Sequence, residues 1–127
     1  MIIEKGTSER RIFFLETCFD VFCKNGLENT SLKMLADSCK VTKGALVYYF
    51  DTKDNLIIEA TAHCMAKVED DFMAKAPTSF EDIERFLREM PYLTAKLHGK
   101  KYRFMYQVYA SPKYREYGKE FFSGVKI

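Results

Sequence analysis

Apolar residues recur three or four positions apart along this chain, which is the spacing of helices rather than of strands. The first run predicts a helix over residues 8–25, capped by Thr7 or Ser8 and ended by a left-handed Gly26. The residues on its apolar face are Ile12, Leu15, Phe19 and Phe22. This face predicts a packed core beneath the helix.

Two short helices are predicted next, separated by a turn at residues 39–41. Thr30 is the expected cap of a second helix over residues 31–38, and Thr42 is the expected cap of a third that ends near Tyr49. Two helices joined by a short turn are typical of a helix-turn-helix, whose second helix docks in the major groove of DNA.

The remainder of the chain also has helical periods. Thr52 is the expected cap of a long fourth helix over residues 53–75, and Pro77 marks the clearest break. Ser79 followed by Asp82 resembles a capping box for a fifth helix. Prolines and a glycine then predict helices over residues 80–89, from Pro91 to Gly99, over residues 100–110 and from Ser111 onward. The sequence therefore predicts an all-α fold.

Composition limits the class of protein. The chain has 127 residues, 47% of them hydrophobic, which excludes intrinsic disorder. No apolar run approaches the roughly 20 residues of a membrane helix, and the start lacks a signal-peptide pattern, so we expect a cytoplasmic protein. The four cysteines lack CxxC or zinc spacing, so buried thiols are expected, with a redox-sensing thiol as the alternative. We expect no metal and no cofactor.

Net charge does not point to a nucleic acid. Residues 1–56 contain equal numbers of basic and acidic residues, so the placement of individual side chains must support any DNA contact. On the third helix Lys43 can reach a guanine edge, Gly44 lets the backbone approach the groove, and Ala45 is small enough to meet a thymine methyl. Thr42 can bind phosphate or cap the helix.

Tyrosines one turn later can hold the DNA backbone through their hydroxyls. Tyr48 and Tyr49 supply these groups, and Lys33 and Lys53 on the neighbouring helices can flank them. The alternative is that the tyrosines are half-buried packing residues and the lysines are merely solvated. The ordered set on one short helix favours a DNA-contacting surface.

Residues 8–56 resemble the amino-terminal DNA-binding domain of the tetracycline-repressor (TetR) family of bacterial transcription regulators. The matching motifs are Phe22-Cys23-Lys24-Asn25-Gly26, Thr30-Ser31, Leu35-Ala36, Val41-Thr42-Lys43-Gly44, Tyr48-Tyr49-Phe50, Lys53 and Leu56. Two positions depart from the family pattern. Lys40 stands where glycine is frequent in the turn, and Val47 stands where an aromatic residue is usual.

The resemblance implies a homodimer, in the full-length form, that binds a palindromic double-stranded DNA operator and is released by a small apolar inducer. It also implies a helix-turn-helix domain, residues 1–52, and a partial helical ligand-binding and dimerisation domain, residues 53–127. The implied base contacts are Thr42, Lys43, Gly44 and Ala45, and the implied phosphate contacts are Thr30, Tyr48, Tyr49 and Lys53.

The carboxy-terminal part supplies apolar and soft side chains suited to a ligand pocket. The candidates are Met65, Phe72, Phe86, Met90, Phe104 and Tyr109. Such residues at helical spacing are more often plain core, and no polar cluster indicates a particular inducer.

The sequence thus favours a DNA-binding transcriptional regulator, acting as a repressor that an inducer releases. The alternative is a helical ligand- or protein-interaction module that does not bind DNA in a truncated form, because family members are longer than this chain. An enzyme is not supported, since the sequence offers no nucleophile–base pair, metal spacing or phosphate-binding glycine loop.

Overall fold

Helices account for nearly all of residues 5–116, the part of the chain that this computed structural model describes. In chain order they are α1 (Lys5–Asn25), α2 (Leu32–Cys39), α3 (Lys43–Phe50), α4 (Lys53–Ala74) and α5 (Phe80–Ala110). No strand occurs within residues 5–116, and the predicted all-α fold is confirmed.

Helix α1 begins earlier than its sequence predicts. Its first helical residue is Lys5, so Thr7 and Ser8 lie inside the helix and do not cap it. The predicted end is confirmed, because Gly26 has a φ of +89° and its amide donates to the Phe22 carbonyl at 2.7 Å. A residue with a side chain would be strained in this conformation.

The cap of α2 is Ser31 and not the predicted Thr30. The Ser31 hydroxyl accepts from the Met34 amide at 3.2 Å, as an N-cap does. Thr30 instead donates its hydroxyl to the Gly26 carbonyl at 2.6 Å and is only 2% exposed. Thr30, which was expected to cap the helix, therefore stabilises the preceding turn instead.

The remaining predicted caps of the first four helices are confirmed. The Thr42 hydroxyl accepts from the Ala45 amide at 3.2 Å, and the Thr52 hydroxyl accepts from the Asn55 amide at 3.1 Å. Lys40 ends α2 in the left-handed region with φ 61° and ψ 41°. This conformation is uncommon for a residue other than glycine, so Lys40 carries a modest strain in the turn.

Helix α5 is continuous where the sequence predicts three separate helices. It is capped by Ser79, as predicted, but it runs through both Pro91 and Gly99. A proline removes one backbone hydrogen bond, and Pro91 is exposed, so water can bind the carbonyl that this leaves free. After α5 a turn at residues 112–114 leads to helical backbone at residues 115–116, and the rest of the predicted last helix lies outside the described residues.

One continuous core joins α1 to the other helices. Helix α1 packs against α2, α4 and α5, and α3 packs against α2 and α4. The largest fully buried side chains include Phe14, Phe22, Leu35, Phe104 and Tyr114. The core thus extends across the domain boundary predicted at residue 52, which stays a prediction.

Candidate nucleic-acid interface

Helix α3 presents one face to the core and the opposite face to solvent. Leu46 and Phe50 are buried. Tyr49 is half-buried, and its ring lies edge-to-face with the Phe14 ring at 5.1 Å between ring centroids. The residues of the solvent-facing side, which we call the α3 surface, are Lys43, Gly44, Val47 and Tyr48. Gly44 and Val47 are three residues apart, and each of the pairs Lys43–Val47 and Gly44–Tyr48 is four apart, so these positions are neighbours on a helix.

The α3 surface has no side chain at Gly44, near its amino end, and carries the large ring of Tyr48 one turn later. A Cβ added to Gly44 would meet only the Thr42 hydroxyl oxygen, at an ordinary 3.9 Å, so packing does not require glycine there. Tyr48 is 85% exposed, with its ring edge-on to Tyr49 at 5.4 Å between centroids. An exposed aromatic ring beside a bare stretch of helix suits an intermolecular contact better than a packing role.

Three residues predicted to contact DNA lie on the flank of this surface, and each already makes a contact within the chain. The Thr42 hydroxyl caps α3, and half-buried Ala45 donates its amide to it. Tyr49 is also half-buried, and its ring packs against Phe14.

The predicted phosphate-binding residues on neighbouring elements differ in accessibility. Lys33 is exposed and pairs with Asp37 at 3.2 Å on the surface of α2. Lys53 is half-buried, and this burial lowers the pKa of its ammonium group. The buried position of Thr30, whose hydroxyl is bonded within the chain, does not fit the predicted phosphate contact.

A residue that sequence reasoning missed lies behind α3. Arg11 donates to both carboxylate oxygens of Glu59, at 2.8 and 2.7 Å, and to the Tyr49 carbonyl at 2.8 Å. Its guanidinium also lies 4.8 Å from the centre of the Phe50 ring. The partners lie 38 and 48 positions away in sequence, so no local pattern could have indicated them.

An apolar groove of about 560 Å³ runs between α4 and α5. It is lined by Met65, Val68, Glu69, Phe72, Tyr102, Met105, Tyr106 and Tyr109. Three of the predicted pocket residues, Met65, Phe72 and Tyr109, therefore lie together in what we call the α4–α5 groove. Glu69 is the one charged residue among those that line it.

The other three predicted pocket residues lie elsewhere. Phe86 and Met90 line a second cavity of about 290 Å³ beside the connection between α4 and α5. Phe104 was wrongly predicted, because it is fully buried and its ring contacts Phe19 and Phe22 of α1. Sequence spacing alone cannot separate a core position from a groove position on the same helix.

The cysteines behave as packing residues. Cys18, Cys39 and Cys64 are buried and Cys23 is half-buried, and all four are free thiols. Burial raises the pKa of each of these thiols, that of Cys64 to about 12. The Cys18 and Cys39 sulfurs lie 3.8 Å apart, between α1 and α2.

Within residues 5–116 no three His, Cys, Asp or Glu side chains lie close enough together to hold a metal ion. No helix in the same range is both long and apolar enough to cross a bilayer.

One segment of the chain matches a known protein family. Residues 14–60, which contain α2, α3 and most of α1, match the profile described as bacterial regulatory proteins, tetR family. Residues 14–60 are therefore a segment of the tetR type, and the predicted resemblance to this family is confirmed over them. The proteins that match this segment are transcriptional regulators, the class that the sequence favours over an enzyme.

Two similar tetR-type proteins come from bacteria. The HTH-type transcriptional regulator YuxN of Bacillus subtilis is 34% identical over 50 residues, which are 39% of this chain and 17% of that protein. The HTH-type transcriptional repressor KstR2 of Rhodococcus jostii is 32% identical over 54 residues, which are 42% of this chain and 26% of that protein. The matched segment thus spans less than a third of either relative.

A solved structure shares the fold over a greater length. The crystal structure of the multidrug binding protein EbrR, complexed with malachite green, superposes with a TM-score of 0.70 at 21% sequence identity. The match covers 92% of this chain and 71% of that chain. It therefore confirms that α4 and α5, as well as the helix-turn-helix, have the arrangement found in that protein.

Proposed function

We propose that this chain is a DNA-binding transcriptional regulator whose α3 enters the major groove of an operator. The observation that carries the proposal is the α3 surface, where Lys43, bare Gly44 and 85%-exposed Tyr48 face solvent on a helix anchored by Leu46 and Phe50. A helix held rigidly from behind and bare at its amino end is what groove reading requires.

The side chains of this surface divide by the chemistry that they offer. Lys43 donates to a guanine edge, while Gly44 and Ala45 let the backbone of α3 approach the bases. Val47, 38% exposed on the same face, meets a thymine methyl in place of the usual aromatic contact. Phosphate contacts come from the backbone amides at the start of α3, beside Thr42. They also come from four side chains, those of Tyr48, Tyr49, Lys33 and Lys53.

The test is a fluorescence anisotropy titration of the full chain with duplexes selected from a randomised pool and with a scrambled duplex of the same composition. We expect a clear preference for the selected duplex, and affinity that falls steeply with salt because phosphate contacts release counterions. Equal affinity for selected and scrambled duplexes would contradict operator recognition.

The second part of the proposal concerns the α4–α5 groove. Its three tyrosines, Phe72 and two methionines offer aromatic faces and soft sulfur, and Glu69 offers one negative charge. This combination suits a flat aromatic cation, and the fold is shared with a protein whose crystal structure contains malachite green. We infer that such a ligand binds this groove and releases the operator from a homodimer in the cytoplasm, so that the chain acts as a repressor.

Malachite green itself is the probe for this part. We expect it to bind the free chain and to lower the anisotropy of the labelled selected duplex, as differential binding to two conformations requires. Dye binding together with no selection of any duplex would instead favour the alternative, a helical ligand-binding module that does not bind DNA. Light scattering on the same samples tests whether the DNA-bound form is a dimer.

A further inference from the structure

Three helices meet at one guanidinium group. Arg11 of α1 donates through Nε and Nη2 to the carboxylate of Glu59 on α4, and the same Nη2 donates to the Tyr49 carbonyl on α3. The Arg11 and Glu59 side chains are about two-thirds shielded from solvent, with exposures of 33% and 35%. A bidentate pair with this shielding has a fixed geometry that an exposed lysine pair lacks.

The carbonyl that Arg11 contacts is one that the helix cannot satisfy by itself. Tyr49 lies in the last turn of α3, where carbonyls have no amide one turn ahead within the helix. The Val47 carbonyl accepts from Asp51 and the Phe50 carbonyl accepts from Thr52, both through backbone amides. The Tyr49 carbonyl takes its hydrogen bond from Arg11, whose positive charge also suits the negative end of the helix dipole.

We propose that Arg11, held by Glu59, is a positioning residue that sets the orientation of α3 and thereby of the α3 surface. We name this arrangement the Arg11 clamp: Arg11, Glu59 and the Tyr49 carbonyl. Arg11 acts through α3 and not on the bases, because it contacts Tyr49 and Phe50 in the last turn of α3, whereas Lys43 and Gly44 begin the helix. The DNA consequences of the clamp rest on the proposed function, whereas its effect on α3 does not.

Two variants distinguish the clamp from a purely electrostatic role of these charges, because the two explanations predict different changes in DNA affinity. Glu59→Gln removes a negative charge, so a purely electrostatic role predicts tighter DNA binding. The clamp predicts weaker specific binding, because the bidentate acceptor for Arg11 is lost. Arg11→Lys keeps the positive charge but not the two parallel donors of the guanidinium. The clamp therefore predicts weaker specific DNA binding, whereas a role of charge alone predicts no change.

The matched control is Arg10→Gln. Arg10 is exposed next to Arg11, with its guanidinium 5.2 Å from the centre of the Phe14 ring. The Arg10→Gln substitution removes the same positive charge as Arg11→Gln, from the adjacent position. A small, sequence-independent loss of affinity is expected from this control.

The first measurement is hydrogen exchange in the free, full chain, read at the amides of residues 47–51. We expect exchange about tenfold faster in Arg11→Gln than in Arg10→Gln, the size that one lost charge-assisted hydrogen bond implies. The amides of α5 serve as the reference for overall stability. Equal rates at residues 47–51 in the two variants would overturn the clamp, whatever the DNA result.

The second measurement is the ratio of affinities for the selected and scrambled duplexes, at a temperature where circular dichroism shows every variant folded. We expect this ratio to fall about tenfold in Arg11→Gln, Arg11→Lys and Glu59→Gln, and to stay unchanged in Arg10→Gln. Tighter specific binding by Glu59→Gln would overturn the clamp. Absence of duplex selection by the unsubstituted chain would overturn the proposed function instead, and the exchange rates would still decide the clamp.

Discussion

The two ends of this molecule are built differently. Helices α1 to α3 and the first half of α4 surround a dense core, in which Phe22, Leu35 and Leu46 are entirely shielded from solvent. The distal hairpin, which we define as residues 65–97 of α4 and α5, contains no buried side chain at all among its described residues. Phe80 and Leu87 on α5 are instead 88% and 66% exposed.

This difference shows that apolar residues are buried in one part of the chain and exposed in another. The helix-turn-helix region buries its apolar residues and leaves polar and aromatic groups of α3 outside. The distal hairpin exposes its apolar residues to solvent, and they are more numerous than the single scattered apolar residues usual on a protein surface. The first region is therefore suited to hold a fixed shape, and the second to meet an apolar ligand or another protein surface.

The largest test of the contrast replaces one leucine in each region. Leu35→Ala should lower the free energy of unfolding by about 3 kcal/mol, because it leaves a cavity in the closed core. Leu87→Ala, at a 66%-exposed position, should change it by less than about 0.5 kcal/mol. Urea unfolding followed by circular dichroism measures both, and comparable losses would show that the distal hairpin is as tightly packed as the rest.

A second test concerns the proposed DNA contacts of the helix-turn-helix region. Lys43→Ala should cost about 2 kcal/mol of binding free energy and relax the preference at one base pair. Lys53→Ala should weaken binding to all sequences equally and reduce the salt dependence by about one counterion. Competition assays with single-base variants of the selected duplex measure the difference. Identical profiles for the two variants would contradict the division into base and phosphate contacts.

A third test asks whether the α4–α5 groove, which the distal hairpin partly lines, binds cations. Glu69→Gln should weaken malachite green binding about tenfold, because it removes the one carboxylate among the lining residues. Glu84→Gln is the control, since Glu84 is an exposed α5 residue that pairs with Arg88 and does not line the groove. If the two variants bind the dye equally, the ligand site lies elsewhere.

The smallest effect is expected from the polar contact that ties α4 to α5. Hydrogen bonds from Lys75 and His98 lower the pKa of Asp71 below its ordinary value of 3.8. A lowered carboxylate pKa contributes stability above the ordinary value, and this contribution is lost as pH falls through the folded-state pKa. Asp71→Asn should therefore flatten the decline of unfolding free energy below pH 3.8. An unchanged acid dependence would show that the contact contributes nothing.

Local signals in the sequence were sufficient for most of the helix-turn-helix. The caps at Thr42 and Thr52 and the left-handed Gly26 depend on neighbouring residues, and all three are confirmed. The cap at Thr30 was wrong because Ser31 offers the same chemistry one position later. The breaks predicted at Pro91 and Gly99 were wrong because either residue can occur within a helix without ending it, and exposed Pro91 leaves free only one carbonyl, which water can bind.

The candidate sites depended on information that is not local. The exposure of Lys43 and Tyr48 follows from the helical period, so the sequence was enough to propose them. The burial of Phe104 against α1 and the approach of Arg11 to Tyr49 join residues far apart in the chain. No pattern within one helix contains such pairings, which arise only when the helices pack.

The two sulfurs between α1 and α2 turn the closed core into its own reporter. A thiol reacts with an alkylating reagent as the thiolate and only when the reagent can reach it. Cys18 and Cys39 are shielded from water and have raised pKa values, so they can be labelled only during moments when α1 and α2 separate. Cys23 lies on α1 with Cys18 but is only half-buried, so its faster alkylation provides an internal standard. The rate of alkylation thus reports how often α1 and α2 separate, without the introduction of a new residue.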